Sequence, residues 1–371
     1  MINLSKKIVQ KTRSFCHRQF VFCVSNAWYN KSLLLILLRP LSLLYFWLSQ
    51  RRRKRLSAQA WLPPVPTIVV GNLSVGGTGK TPLVIYLAKL LRDHGFQPLI
   101  ISRGYKGTYQ GIKMVSETDS PTEVGDEVLL IKQETDVPVV VSPNRVKAAQ
   151  HILAEVSPRV SGNDPRVIIS DDGLQHYSLG RHIEIAVIDA CRQFGNQQLL
   201  PEGPLREKLT RLAEVDFIVA NGSKARAAQH QQVAACADRL FSMRFIPNTF
   251  CSVSSSTSSS TQSLSMSVEA FQEKFGTQIK AVAAIGNPSR FFISLQNLGF
   301  TLDVYDFPDH HPFTRSELIH VLYNKHPHRP LVMTSKDAVK CQHFALENLW
   351  YMQISVALED EFNQKLLNRL N

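Results

Sequence analysis

No aspartate or glutamate occurs in the first 55 residues of this 371-residue chain, although that stretch holds 12 of its 42 lysines and arginines. The remainder carries 30 basic and 30 acidic residues, so the formal charge of +12 belongs to the N-terminal arm and the body is neutral. A strongly basic chain ordinarily suggests nucleic acid as partner. Here the excess flanks an apolar segment, which points to anionic lipid and not to nucleic acid. Cysteine is also scarce. The six (Cys16, Cys23, Cys191, Cys236, Cys251, Cys341) are widely spaced, with no CxxC pair or Cys/His cluster. That argues against a zinc site or a disulfide framework and fits a reducing compartment. No GxGxxG opens a helix, so a dinucleotide site has little support. No internal repeat of 20–50 residues is visible. Hydrophobic residues at 44% and charged residues at 19% sustain a sizeable core, and the length suggests about two domains.

The longest apolar run is Leu33 to Leu48, LLLILLRPLSLLYFWL. As a helix it spans about 24 Å, short of a hydrocarbon core of roughly 30 Å. Arg39 and Pro40 interrupt it, and the RRRKR run 51–55 follows at once. With no small-residue cleavage site, a removed signal peptide is not expected. The segment is expected in or partly within the membrane interface, its basic run cytoplasmic and on anionic headgroups. A buried core helix followed by a solvated basic turn is the alternative. No structure is assigned to residues 1–26.

From Pro63 onward, short apolar runs alternate with helical patterns. Strands are expected at 67–72, 98–102, 137–142, 166–170, 183–189 and 216–222, with a helix over 80–92 placing Leu83, Leu87, Leu90 and Leu91 on one face. Fully apolar strands between helices predict a parallel sheet covered on both faces. Residues 252–267, SVSSSTSSSTQSLSMS, read as a flexible linker without chemistry. Beyond it a second, smaller α/β unit is expected, with strands at 279–286, 301–307, 330–335 and 349–356. The expected partition is an arm (1–55), a core (56–250), a linker (251–275) and a C-terminal unit (276–371), with a ligand cleft between the two α/β units.

The strongest local motif is Ser74-Val75-Gly76-Gly77-Thr78-Gly79-Lys80-Thr81, between a strand and a helix. The glycines let backbone N–H groups turn toward phosphate oxygens. Lys80 is placed to reach the β- and γ-phosphates and Thr81 to bind Mg²⁺, and the helix N-terminus adds its positive dipole end. Ser74 stands where the strict phosphate-loop pattern has glycine. The layout GGTGKT resembles the loop of partitioning-type ATPases, but Val75 stands where those carry a signature lysine. TSKD (334–337) is a poor guanine motif, so ATP is the expected nucleotide.

Acidic and histidine groups follow strand ends. Asp171-Asp172-Gly173-Leu174-Gln175-His176 follows the strand 166–170, where a carboxylate meets a phosphate-bound Mg²⁺. Asp126 and Glu127 open a helix, where acids also serve simply as helix-start residues. Pro201-Glu-Gly-Pro-Leu-Arg206-Glu207 reads as a rigid turn into a helix. Arg103 and Tyr105 end the strand 98–102, and Asp309-His310-His311 lies past another strand end.

Together these elements resemble one family, the tetraacyldisaccharide 4′-kinases, membrane-associated lipid A kinases of Gram-negative bacteria. The matching segments are SVGGTGKTP (74–82), SRGY (102–105), GDE (125–127), DDGLQH (171–176), PEGPLRE (201–207), IGNPSRFF (285–292), FPDHH (307–311) and TSKDAVK (334–340). The resemblance implies two α/β/α domains around a cleft at the cytoplasmic face of the inner membrane. It implies transfer of the ATP γ-phosphoryl group to the 4′-hydroxyl of a tetraacylated glucosamine disaccharide 1-phosphate, giving lipid IVA. It assigns Asp126 as proton acceptor paired with His310, with His311 one residue along as the alternative. Asp171, Asp172 and Glu207 then fall near Mg²⁺. Arg103, Tyr105, Gln175, His176 and Arg206 fall toward the lipid A precursor or the nucleotide. The competing class is a membrane-positioning ATPase of the partitioning type, and a soluble kinase of a small metabolite is a third reading. Oligomeric state is not legible.

Overall fold

The apolar runs lie side by side in one sheet. A computed structural model describes residues 24, 27–30, 32–158, 165–253 and 264–370. Apart from position 24, the stretch 1–26 lies outside the described residues, as does 254–263 of the Ser-rich segment. Among the described residues the strands in chain order are β1 (Thr67–Gly71), β2 (Gln97–Ser102), β3 (Lys113–Met114), β4 (Val139–Val141), β5 (Arg166–Ser170), β6 (Ile183–Asp189) and β7 (Phe217–Asn221). They continue with β8 (Leu240–Ser252), β9 (Ser265–Ser267), β10 (Gln278–Ala283), β11 (Thr301–Asp306), β12 (Leu331–Thr334) and β13 (Leu349–Leu358). The sheet order is β11-β10-β12-β13-β8-β7-β6-β1-β5-β2-β4-β3, with β9 on β8.

Strand β1 lies between β5 and β6, parallel to both, so its C-terminal end opens between neighbours that run the same way. Strands β1, β2, β4, β6 and β7 are completely buried, and their sequences are mostly apolar. Sheets covered on both faces need such sequences. The helix Lys80–Asp93 buries Leu83, Val84, Leu87, Ala88 and Leu91 against one face. Leu90, expected on that stripe, is only half-buried. Each fully buried leucine contributes about 2 kcal/mol of burial free energy.

Strand β8 escaped the sequence reading. Its burial alternates along much of its length, and Pro247 sits within it. It pairs antiparallel with β13 from Met243 to Ser252 and runs parallel to β7. This pair joins the strands of the expected second unit to those of the first in one hydrogen-bonded ladder. Residues 265–275, read as linker, instead form β9 and the helix Val268–Phe275. Phe271 of that helix is buried and stacks on Phe250 with ring centroids 4.2 Å apart. A short amphipathic helix beside a serine tract gives too weak a signal to read from composition.

The arm also differs from expectation. Leu33–Leu38 is a 3₁₀ turn that passes directly into the α-helix Arg39–Ala58. Pro40 sits in the first turn, where its missing N–H costs no hydrogen bond. The arginine run therefore continues the same helix and is not a separate turn. The 26 residues Leu33–Ala58 are long and apolar enough to cross a membrane by length and composition. Leu33, Leu34, Leu37, Leu41, Leu43 and Trp47 are exposed on it, which makes it a candidate membrane-associated segment.

Candidate active site

A cleft of about 2410 Å³ runs along the C-terminal ends of the parallel strands. Residues 75–81 of the phosphate loop line it, as do Arg103, Tyr105, Asp171, Asp172, Gln175, His176, Arg206, Glu127, His310 and Lys336. The loop leaves β1 and turns into the helix Lys80–Asp93 through Gly79, whose φ is +98°. A β-carbon there would meet Asn221 Nδ2 at 2.6 Å, so the position needs glycine on two counts. Asn221 also donates to the Thr78 carbonyl at 2.9 Å, which fixes the loop against β7.

Lys80 Nζ lies 3.2 Å from Asn72 Oδ1 and 3.5 Å from Asp172 Oδ1. Arg206 Nη1 donates to both Asp172 oxygens at 3.1 and 3.2 Å. Burial alone would raise the Asp172 carboxyl; Lys80 and Arg206 outweigh it and hold the group at about 2. Its neighbour behaves oppositely. Burial, Glu127 and Asp172 push the Asp171 carboxyl up to about 6 against the pull of Lys80 and Ser102. Asp171 Oδ2 accepts from Ser102 Oγ at 2.9 Å, but Oδ1 is buried with no partner among the described residues, as is Thr78 Oγ1. A carboxylate so placed suits a cation that arrives with a nucleotide.

Glu207 requires a correction. It does not line the cleft. Its carboxylate accepts from Gln175 Nε2 at 2.8 Å and from the Tyr177 hydroxyl, and Arg211 lies behind it. These contacts hold Gln175 in place. Gln175 is likewise committed: it donates to the Asn72 carbonyl at 3.1 Å and accepts from Arg206 at 3.2 Å. The segment after Pro201 is a turn ending in a single 3₁₀ stretch, Leu209–Ala213, and not the expected longer helix. Within it, the Pro204 carbonyl accepts from Val75 N–H at 2.8 Å and Arg206 N–H donates to the Leu73 carbonyl at 2.7 Å, so the turn buttresses the phosphate loop.

The helix Arg39–Ala58 rests on that buttress. Arg39 donates to Glu202 through Nη2 at 2.9 Å. Ser42 Oγ bridges the Leu199 carbonyl and the Glu202 N–H, and the Tyr45 hydroxyl donates to the Arg206 carbonyl at 3.0 Å. Further along, Arg52 reaches the cleft, where Arg103 and Arg145 also lie. Burial, with Arg145, Arg181, Arg52 and Arg103 nearby, pushes His176 down to about 4, so it is neutral at pH 7. Arg52 and Arg145 were missed: one sat within a charge run and the other in an unremarkable helix start.

His310 also lines the cleft, and Asp126 lies buried behind it. Gly125, at φ +95°, brings the chain past Tyr105, where a β-carbon would lie 2.9 Å from the Tyr105 carbonyl. Asp126 then opens the helix Asp126–Thr135. His310 follows β11 with φ +61° and donates its backbone N–H to the Ala284 carbonyl at 2.9 Å. Its Nδ1 lies 2.8 Å from Asp126 Oδ2. His311 points elsewhere, with Nε2 3.3 Å from Glu317 and its ring against Phe307 and Phe313. Burial would raise the Asp126 carboxyl, but the His310 hydrogen bond and the charge of Lys336 dominate and hold it at about 2.

A family model described as tetraacyldisaccharide-1-P 4′-kinase matches residues 34–371. The chain belongs to the tetraacyldisaccharide 4′-kinase family. Among similar curated proteins, the tetraacyldisaccharide 4′-kinase of Shewanella sp. strain ANA-3 is 44% identical, covering 94% of this chain and 95% of that one. The enzyme of the same name from Shewanella oneidensis is 42% identical over the same shares. A solved structure, LpxK from Aquifex aeolicus in complex with ATP, superposes with a TM-score of 0.71 at 28% identity, covering 91% of this chain and 100% of that chain. The activity is that of a lipid A 4′-kinase, and the phosphate loop is its expected nucleotide end.

Proposed function

We propose that the chain moves the γ-phosphoryl group of ATP to the 4′-hydroxyl of a tetraacylated glucosamine disaccharide 1-phosphate, with Asp126 accepting the hydroxyl proton. The observation that carries this reading is the meeting of two sets of groups at one cleft. Lys80 and the loop residues 75–81 line it, and so does His310, with the buried Asp126 hydrogen-bonded to the imidazole. Phosphoryl transfer proceeds through a loose transition state, so positioning and charge stabilisation matter more than a strong base. A carboxylate held near 2 fits that demand. It stays ionised, orients the hydroxyl in line, and takes the proton late, once the new P–O bond has made that proton acidic.

Asp171 and Thr81, with Asp172 beside them, are the groups suited to hold Mg²⁺; bound there, the ion neutralises charge on the nucleotide phosphates. Arg103, with Arg52 from the helix Arg39–Ala58 and His176, forms one part of the cleft, and Tyr105 lies beside His310. We assign that part to the anionic disaccharide, drawn from the cytoplasmic leaflet while the exposed leucines sit among lipid tails. A positioning ATPase has no use for an acceptor-side dyad, and Val75 stands in the place of its signature lysine.

The test is a mutant cycle on ATP and the lipid A disaccharide precursor. Asp126→Ala and His310→Ala should each lower kcat by about 100-fold or more while ATP affinity is kept. The double variant should be little worse than either single one, as members of one catalytic unit are non-additive. Multiplicative losses, or an active Asp126→Ala enzyme, would break the assignment.

A further inference from the structure

The TSKDAVK segment contributes a side chain that the proposed chemistry has not used. Lys336 lies on the short helix Ser335–Ala338 after β12. Its Nζ is 3.1 Å from His310 Nε2, 2.8 Å from Glu127 Oε1 and 3.5 Å from Asp309 Oδ1. The His310 imidazole thus has Asp126 on one nitrogen and an ammonium on the other.

An ammonium has three protons and no lone pair, so it can only donate. The charges of Glu127, Asp309 and Asp126 overcome the effect of burial and hold Lys336 well above the ordinary lysine range, so it is an ammonium throughout the working pH range. His310 Nε2 must then be the unprotonated acceptor, and the single ring proton sits on Nδ1, directed at Asp126 Oδ2. Asp126 Oδ1 is occupied by the Glu127 backbone N–H at 3.0 Å, so the carboxylate is held at both oxygens.

We propose that Lys336 is a positioning residue that locks His310 as its neutral Nδ1–H tautomer, so that His310 orients Asp126 and does not receive its proton. The proposal rests on the Asp126–His310 reading above. Nδ1 already carries a proton, and Nε2 is blocked by a cation, so neither nitrogen is open to the proton that Asp126 takes from the acceptor. That proton leaves Asp126 to water after transfer. The same ammonium explains why Asp126, Glu127 and His310, whose ligand atoms lie within 4.8 Å of one another, form an ion-pair network: Lys336 supplies the cation that such a cluster needs. The groups facing His310 are Asp126 and Glu127 from the helix Asp126–Thr135, Asp309 from its own loop, Lys336, and the Tyr105 ring, its centroid 5.8 Å from that of the imidazole. Lys340 adds positive charge near Asp126.

The experiment is ¹⁵N NMR of the imidazoles in the detergent-solubilised full chain, with His310 assigned by loss of its signals in His310→Asn. At pH 7.5 the wild type should show Nδ1 protonated and Nε2 unprotonated. Lys336→Met should abolish that fixed state, giving tautomer exchange or ring protonation. It should also move the acidic limb of the kcat/KM profile to higher pH and lower kcat by up to about 100-fold, the scale of a misplaced catalytic group. Lys336→Arg, which keeps the charge and a donor, should restore the tautomer and part of the rate. A protonated Nε2 in the wild type overturns the proposal whatever the activities. So does a Lys336→Met protein with unchanged imidazole shifts and pH profile. If the tautomer is as stated but Asp126→Ala remains active, the dyad reading fails and the tautomer lock stands.

Discussion

The two walls of the cleft are built by opposite means. The phosphate wall comes from one continuous segment, 74–81, between a strand and a helix, and its geometry is local. The acceptor wall is assembled from Asp126, His310 and Lys336, which come from three distant parts of the chain and meet within 3.1 Å of one another in sequence of contact. The supports differ as well. The phosphate loop leans on the turn 201–206, which in turn carries the apolar N-terminal helix through Arg39, Ser42 and Tyr45. In the acceptor wall, Asp126 comes from the helix between β3 and β4, His310 from the loop after β11 and Lys336 from the short helix after β12. A backbone cradle tolerates little variation but needs few partners. A side-chain constellation depends on every element that positions it.

The largest effect expected from this contrast is at Lys80. Lys80→Ala should lower phosphoryl transfer by at least about 100-fold with the fold intact, because Lys80 neutralises the charge that develops at the γ-phosphoryl group. A steady-state assay checks this, and retention of more than about a tenth of kcat would break the phosphate-wall assignment. The next effect concerns the support beneath that wall. Replacing Leu37, Leu41 and Leu44 together by glutamate should weaken association with anionic vesicles by more than about 100-fold, since each buried leucine is worth about 2 kcal/mol. Flotation should show the intact chain losing affinity as salt rises, and a triple variant that floats as well as the wild type would move the anchoring to another surface.

The smallest effect sharpens the comparison within the phosphate wall. Asp171, raised to about 6, binds a proton more tightly in the folded than in the unfolded chain, where the ordinary value is about 3.9. Its ionisation therefore removes stability as pH rises from about 4 through about 6, and the loss is complete above that window. Without nucleotide or divalent cation, Asp171→Asn should raise Tm by a few degrees at pH 7.5, about 2 kcal/mol, and the gain should fade toward pH 4. Scanning calorimetry at the two pH values measures this. An unchanged or lower Tm at pH 7.5 would mean that Asp171 is already compensated.

Much of the phosphate wall was legible because its information is contiguous. Glycines at fixed offsets, a lysine and a strand–helix boundary require one another within eight residues. Asp171 and Asp172 were legible for the same reason, at a strand end. Lys336 was visible within a matching segment, yet no spacing along the chain ties it to His310, 26 residues away. Glu207 was read as a site residue because a carboxylate next to Arg206 looks like one; its partners Gln175 and Tyr177 lie 32 and 30 residues back in the chain, where no local pattern shows them. Strand β8 was missed because its burial alternates and its apolar signal is diluted.

What the amino-acid order determined by itself is the set of elements and the chemistry of the motifs: buried parallel strands from continuous apolar runs, a phosphate loop from its glycines, and a basic apolar arm. Those properties depend on neighbours within a few residues, which the chain carries wherever it folds. The tertiary structure decided which motifs meet. It set Asp126 against His310, chose His310 over His311, turned Glu207 inward, seated the arm on the phosphate-loop buttress and put an ammonium on the second imidazole nitrogen. Each of these is a contact between segments far apart in the chain. Such contacts arise from the register of strands and the packing of helices on the sheet, which no local pattern encodes.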